Sequence, residues 1–358
     1  MIFCVKWVRT MTDKKRRINA SALVVAIAVI ALTAVVALDA LKPRYTLSEK
    51  STIAMGTVVT QKLYSKNDCA DTAKSIEDIL RETENRISRR ISSSDIGVLN
   101  REYEVEADDG LKDIFNKCNK VYYDSQGAFD ITVGRLSALW NIGEENAALP
   151  SESEIKDALS FVDGSKVSVD GDRIKIGKGQ LVDLGAVGKG LVCDYIREEL
   201  ERSDVHGAVI LVGGSVLLYG QNPDADSWKI AVRNPRGESN ETMGSFTLKE
   251  GFVSTSGDYE RVLEVNGVSY HHILDSETGY PAESDLMSVT VVCDNGLLSD
   301  ALSTAAFVLG LEKGSELLEK YGAEGIFIGK DKSVCITGGL RESFTLTDSS
   351  FTLRGEDG

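Results

Sequence analysis

Asp300 and Thr304 stand at i and i+4 in the stretch SDALSTAAFVLG (299–310). On a helix that spacing puts a carboxylate and a hydroxyl on one face. A cap at Ser299, with Asp300 complementing the helix dipole, would account for the first two residues. A hard-cation site would account for the pair, because Mg²⁺ takes oxygen ligands and usually only one or two protein carboxylates. The pair alone is compatible with both readings.

Two further stretches carry chemistry. VDLGAVGKGLVCDYIREEL (182–200) sets Asp183, three glycines and Lys189 directly before a helical pattern. Glycines let backbone approach a ligand, and a helix N-terminus beside a lysine suits phosphate; a plain strand-to-helix turn is the simpler alternative. The spacing matches neither the Walker loop nor the GxGxxG dinucleotide fingerprint. HHILDSETGYPAE (271–283) holds two of the three histidines, followed by Asp275. An imidazole can act as a base near neutral pH. In a strand the two rings point to opposite faces, so at most one of His271 and His272 lines a given pocket; a structural histidine is the other reading. GAFDITVG (127–134), LVGGSVLLYG (211–220), STSGDYER (254–261) and MGT (55–57) are weaker signals, each compatible with an ordinary turn.

These groups must be positioned by a chain of 358 residues, 42% hydrophobic, with 55 acidic and 40 basic residues and a net charge of -15. That charge argues against nucleic acid as a partner, and an anionic ligand must meet local cations. Near the start, TDKKRR (12–17) precedes 21 uncharged residues, Ile18 to Leu38. At about 1.5 Å per residue such a helix spans the roughly 30 Å of a bilayer core. The basic cluster assigns 1–17 to the cytoplasm, 18–38 to a transmembrane anchor and the remainder to the outside. A cleaved signal peptide, whose apolar region is normally about 7–15 residues, is the alternative. Met1 and Met11 both remain possible starts. Six scattered cysteines lack CxxC or histidine partners at ligand spacing, which points to small buried apolar residues rather than zinc ligands.

After a linker at 39–50, a β-branched run at 51–65 reads as a strand. Apolar positions Ala73, Ile76, Leu80, Thr83 and Ile87 keep helical spacing between Cys69 and Ile87. Further helices are expected from about Leu111 to Ser125 and after Pro150, where SESEIKDALS begins with acidic residues. SKVSVDGDRIKIG (165–177) reads as a hairpin, and from Trp228 onward alternating runs come in hairpins. Strands that outnumber helices, without regular strand–helix alternation, give an α+β class. The folded domain is placed at 51–345, with 346–358 as a tail.

In this order the stretches MGT, GAFDITVGRLSALWNIG, VDLGAVGKG, LVGGS, TSGDYER, HHILDSETGYP and SDALSTAAFVLG resemble the ApbE family of FAD:protein FMN transferases. The blocks run from about residue 50 to 340, and their order is more specific than any one of them. The resemblance implies an ApbE-like fold of mixed and antiparallel sheets with flanking helices. It also implies Mg²⁺-dependent transfer of FMN from FAD to a Thr or Ser of an acceptor protein, with release of AMP. By resemblance Asp300, Thr304 and the carbonyl of Ala186 hold the metal. Met55, Ala128, Phe129, Asp130, Asp183, Lys189 and the backbone of Leu274 line the FAD site, and His272 is the base. The implied partners are acceptor flavoproteins carrying a flavinylation segment, such as FMN-binding electron-transfer subunits. The implied location is a bacterial cell membrane, with the catalytic domain outside. FAD hydrolysis to FMN and AMP, or FAD binding without catalysis, are the alternatives. In ISRRISSSDIGVLN (87–100), Arg90 stands where members often carry an aromatic residue; a planar guanidinium can also stack on a ring.

Overall fold

The structure, a computed structural model, describes residues 45–354 apart from Ser239. The expected anchor at 18–38 lies outside these residues, and no helix among the described residues is long and apolar enough to cross a membrane. Nine strands form one sheet whose spatial order follows the chain: β1 (Thr46–Ala54), β2 (Thr57–Ser65), β3 (Gly207–Val212), β4 (Ser215–Gly220), β5 (Gly251–Gly257), β6 (Leu286–Cys293), β7 (Glu324–Gly329), β8 (Ser333–Ile336) and β9 (Thr352–Leu353). Neighbours are antiparallel except β8 and β9, which run parallel. The sheet is therefore mixed and predominantly antiparallel, in keeping with the α+β class.

Strand β6, LMSVTVVC, is buried along its whole length. A strand covered on both faces needs apolar residues at nearly every position rather than alternation. One face packs on helices and the other on a three-stranded sheet of Trp228–Arg233, Thr242–Leu248 and Thr345–Leu346. The main helices are α1 (Ala70–Ile87), α2 (Asp95–Glu102), α3 (Asp109–Asp124), α4 (Gly134–Trp140), α5 (Glu152–Leu159), α6 (Gly188–Glu201) and α7 (Gly296–Lys320). Helix α1 buries Ala73, Ile76, Leu80, Thr83 and Ile87, the face its spacing predicts. Helix α5 opens with a capping box between Ser151 and Glu154, which satisfies donors at both ends of its first turn.

Helices α6 and α7 meet backbone to backbone. A Cβ on Gly190 would overlap the carbonyl oxygen of Gly296, and a Cβ on Gly296 would overlap that of Gly190. Only glycine at both positions permits the approach. The start of α7 differs from the expected cap at Ser299. The cap lies four residues earlier, at Asn295, whose side chain accepts the Leu298 amide at 3.0 Å. Asp194 on α6 accepts the amides of Gly296 and Leu297 at 2.7 and 2.9 Å, so the neighbouring helix finishes the capping. Ser299 is buried and donates to the Val291 carbonyl of β6. At Gly310 (φ 79°) the helix is interrupted by a non-helical residue.

The sheet also reaches into segments expected to lie outside it. Residues 46–50, within the expected linker, already belong to β1. In the expected tail, Thr352 and Leu353 form β9 and Phe351 is 3% exposed. The five described cysteines are free, and Cys69, Cys118, Cys193 and Cys293 are buried.

Candidate active site

Asp300 lies one turn into α7, beside the glycine crossing, and is 4% exposed. Three donors converge on its carboxylate. Oδ1 accepts the hydroxyls of Ser215 on β4 and Ser254 on β5, each at 2.6 Å, and Oδ2 accepts the Gly190 amide at 2.6 Å. These bonds compensate the burial of a charged group. A carboxylate offers about four acceptor positions, so one remains on Oδ2. Alternation along β5 also sends Ser256 to this side, where its hydroxyl lies 2.8 Å from Ser303 Oγ and 3.4 Å from Thr304 Oγ1. Thr304 is half-buried, and Ala186 is exposed on the turn before α6. A carboxylate with a spare acceptor, a hydroxyl and backbone carbonyls are the oxygen donor types that a hard cation takes. Among the described residues no group of three or more His, Cys, Asp or Glu could hold a metal ion.

The glycine turns gather around Lys189. Met55 and Gly56 form the two-residue turn between β1 and β2, both with positive φ (53° and 68°), as a type I′ hairpin requires. Met55 is an L-residue held in the left-handed region, the kind of outlier that clusters at functional sites. Its amide donates to Glu84 of α1 at 3.0 Å, and its methyl lies against Gly188. The Gly213–Gly214 turn joins β3 to β4; a Cβ on Gly213 would sit 3.0 Å from Thr57 Oγ1 and 3.4 Å from Lys189 Cδ. MGT, VGKG and LVGGS thus touch at one corner.

Asp183 is fastened from several sides. Arg89 donates to its Oδ2 at 2.8 Å, the Gly185 amide donates to Oδ1 at 2.8 Å, and its own amide donates to the Ile131 carbonyl. Asn100 braces the preceding residue, exchanging two hydrogen bonds with the backbone of Val182. Asp130 is spent within its loop. It accepts from the amide and hydroxyl of Thr132, both at 2.7 Å, and from the Gly164 amide at 2.9 Å, while burial pushes its pKa up. Phe129 is buried in the core and Ala128 half-buried, so this block uses its larger side chains for packing. Leu274 pairs its backbone with Pro281 and packs near Trp140. The turn beyond it is tied to the same block, Ser276 donating to the Gly127 carbonyl at 2.7 Å and Trp140 to that of Gly279 at 2.8 Å.

The two histidines part company. The strand Val268–His271 ends at His271, whose Nε2 lies 3.1 Å from the Ala282 carbonyl and whose ring packs edge-on to Phe307. His272 is exposed, and its amide donates to the Arg261 carbonyl at 3.2 Å. Surrounding protein, then Lys189, Arg261 and His271, hold its pKa well below the usual imidazole range. Near neutral pH the imidazole is therefore neutral, with a nitrogen free to accept a proton, although the same lowering weakens it as a base. A cavity of about 190 Å³ lies on the other face of the sheet, lined in part by Val216, Val253, Thr255, Thr290 and Arg233. The same alternation that turns Ser254 and Ser256 toward Asp300 turns Val253 and Thr255 toward this cavity, so the sheet separates the two.

Of the expected residues, Lys189 and His272 converge electrostatically, Met55 touches the start of α6, and Asp300 is bonded to α6 directly. Arg89, Asn100, Ser215 and Ser254 carry the site yet were not singled out in the sequence. Ser254 falls in a noted stretch, but its partner is a carboxylate 46 residues away.

The model of the ApbE family matches residues 55–327. The chain is 31% identical to an FAD:protein FMN transferase of Treponema pallidum over 328 residues, covering 85% of this chain and 90% of that one. It is 30% identical to an FAD:protein FMN transferase of Klebsiella pneumoniae, covering 84% and 95%. Among solved structures, an ApbE protein of Thermotoga maritima superposes with a TM-score of 0.73 at 30% identity, covering 85% of this chain and 98% of that one. The flavinyl transferase ApbE of Pseudomonas stutzeri gives 0.70 at 27% identity, covering 86% and 96%.

Proposed function

The chain belongs to the ApbE family, and on that premise we propose that it transfers FMN from FAD to a Thr or Ser hydroxyl of an acceptor flavoprotein, releasing AMP. The observation that supports this reading best is the meeting of Gly190, Ser215 and Ser254 on Asp300, which draws four separate sequence blocks onto one carboxylate.

The acceptor oxygen attacks the FMN-side phosphorus, a phosphoester bond forms, and the bond to the bridging oxygen breaks, so that AMP leaves with the electron pair. The hydroxyl proton goes to His272, whose neutral ring stands at the open side of the site. Lys189 meets phosphoryl charge at the start of α6, where amides already point outward. The turn at Met55–Gly56 and the segment Asp183–Ala186 shape the donor pocket. Asp300 through its spare Oδ2 position, Thr304 through its hydroxyl and Ala186 through its carbonyl would hold Mg²⁺. When bound, the ion supplies charge neutralisation at the phosphoryl oxygens.

The basic cluster and apolar run at 12–38 support an anchored protein with its catalytic domain outside the membrane, and the family resemblance alone supports FMN-binding electron-transfer subunits as acceptors. The test is incubation of the protein with FAD, Mg²⁺ and a candidate acceptor bearing a threonine-containing flavinylation segment, followed by mass spectrometry. A mass gain equal to FMN less one water, matched by AMP, supports transfer. AMP release that is equally fast without acceptor identifies a hydrolase, and FAD binding without AMP under any condition identifies a non-catalytic flavin binder.

A further inference from the structure

Arg261, at the end of STSGDYER, borders the site at the Met55–Gly56 turn. Its side chain runs from the loop after β5 across the turn between β1 and β2, with Nη2 3.4 Å from the Gly56 carbonyl. The stem lies on Gly143 (φ 88°), where a Cβ would sit 2.9 Å from Arg261 Cδ, so the glycine leaves room for it. Its own carbonyl accepts the His272 amide, which places its backbone beside the proposed base.

Charge separates Arg261 from its neighbours. Arg89 is paired with Asp183 at 2.8 Å and Arg90 with Glu144 at 2.7 Å. Among the described residues neither Arg261 nor Lys189 forms an ion pair; the contact of Arg261 is a neutral carbonyl at the limit of hydrogen-bond distance. In a protein of net charge -15 these are two cations without an ion pair among the described residues, flanking one histidine, with Glu144 the carboxylate that feels Arg261 at longer range. A dinucleotide pyrophosphate carries one negative charge on each phosphate, and guanidinium matches phosphate geometry better than any other side chain.

We propose that Arg261 is a substrate-binding residue: its guanidinium leaves the Gly56 carbonyl to take a phosphate of FAD, sharing the pyrophosphate with Lys189. This rests on the transferase reading above and adds a group that recognises the pyrophosphate in particular.

The test compares FAD with riboflavin, which has the flavin ring but no phosphate, by titration into the intact wild-type protein and the Arg261→Gln and Arg261→Lys variants. Arg261→Gln is expected to weaken FAD roughly ten- to a hundredfold, as for loss of a charged hydrogen bond, and to leave riboflavin binding unchanged. Its KM for FAD rises more than its kcat falls, and Arg261→Lys recovers part of the affinity. Gly143→Ala, which displaces the stem and keeps the charge, is expected to weaken FAD selectively as well. Unchanged FAD affinity in Arg261→Gln overturns the proposal, as does equal weakening of FAD and riboflavin with a lowered melting temperature. Wild-type protein that transfers FMN beside an unaffected Arg261→Gln defeats this inference alone. Wild-type protein that neither binds FAD nor labels an acceptor defeats the transferase reading beneath it.

Discussion

The Gly190 amide donates to Asp300 Oδ2 at 2.6 Å, across 110 residues of sequence, where α6 and α7 touch backbone to backbone. The contact couples packing to chemistry, because the glycine pair that lets the helices meet also sets the orientation of the carboxylate. Gly190→Ala must push the helices apart, since the atom a Cβ would strike is a backbone oxygen that no rotamer change can move. Overpacking of this kind costs about 2 kcal/mol or more. A urea melt should show that loss together with loss of FMN transfer, and wild-type stability in Gly190→Ala would refute the tight crossing.

Asp300 cannot be probed cleanly by its own removal. Asp300→Ala leaves two hydroxyls and an amide buried without an acceptor, and Asp300→Asn turns a donor toward one of them, at about 1–3 kcal/mol for each unsatisfied group. Thr304→Val is the sharper variant, because the recorded partner of the Thr304 hydroxyl is Ser256 at a long 3.4 Å. Transfer should fall in Thr304→Val to the level of chelator-treated wild type, while the melting temperature shifts by no more than roughly 2 °C. Full Mg²⁺-dependent transfer by Thr304→Val would remove Thr304 from the metal site.

The sequence reveals what repeats and hides what converges. The buried face of α1 is legible because Ala73, Ile76, Leu80, Thr83 and Ile87 follow a helical period, and the hairpin at 168–175 because Gly171 and Asp172 separate alternating runs. Asp300 and Thr304 are legible as an i, i+4 pair. Ser215 and Ser254 are not, since a serine in a strand looks the same whether it faces water or a buried carboxylate, and only the order of β4, β5 and α7 decides. The true start of α7 is hidden for a related reason: part of its capping comes from Asp194, on a different helix. Arg89 gave no signal because its partner Asp183 is 94 residues away.

The histidines should separate kinetically. His271 packs on Phe307 and contacts a carbonyl, whereas His272 is exposed between Lys189 and Arg261. His272→Ala is therefore expected to lower kcat by about a hundredfold or more, in the range of general-base loss, while His271→Ala acts mainly on stability. Surrounding protein and then the neighbouring cations disfavour the imidazolium, so the acid limb of kcat/KM should fall below the ordinary imidazole value of about 6.5. Arg261→Gln should move that limb upward. Both histidines have folded pKa values below the unfolded value. Their contribution to stability is thus complete above about pH 6.5 and is lost as the pH falls, when the unfolded chain takes up protons first. An acid limb at the ordinary value, unmoved by Arg261→Gln, would remove His272 as a base in this electrostatic setting.

The Arg90 guanidinium is held by Glu144 at 2.7 Å on an exposed edge. Such a pair contributes little to stability, about 0–1 kcal/mol, so its value lies in what the planar group can cover. If the guanidinium stacks on a ring of FAD, Arg90→Tyr preserves that surface and Arg90→Ala removes it at about 0.5–2 kcal/mol. Glu144→Gln, which releases the guanidinium, should tighten FAD binding slightly. Fluorescence titration of FAD into the three variants checks the order, with Arg90→Ala weakest and Arg90→Tyr close to wild type. Equal affinities for Arg90→Ala and wild type would show that the ion pair with Glu144 is a surface feature and that the ring is gripped elsewhere.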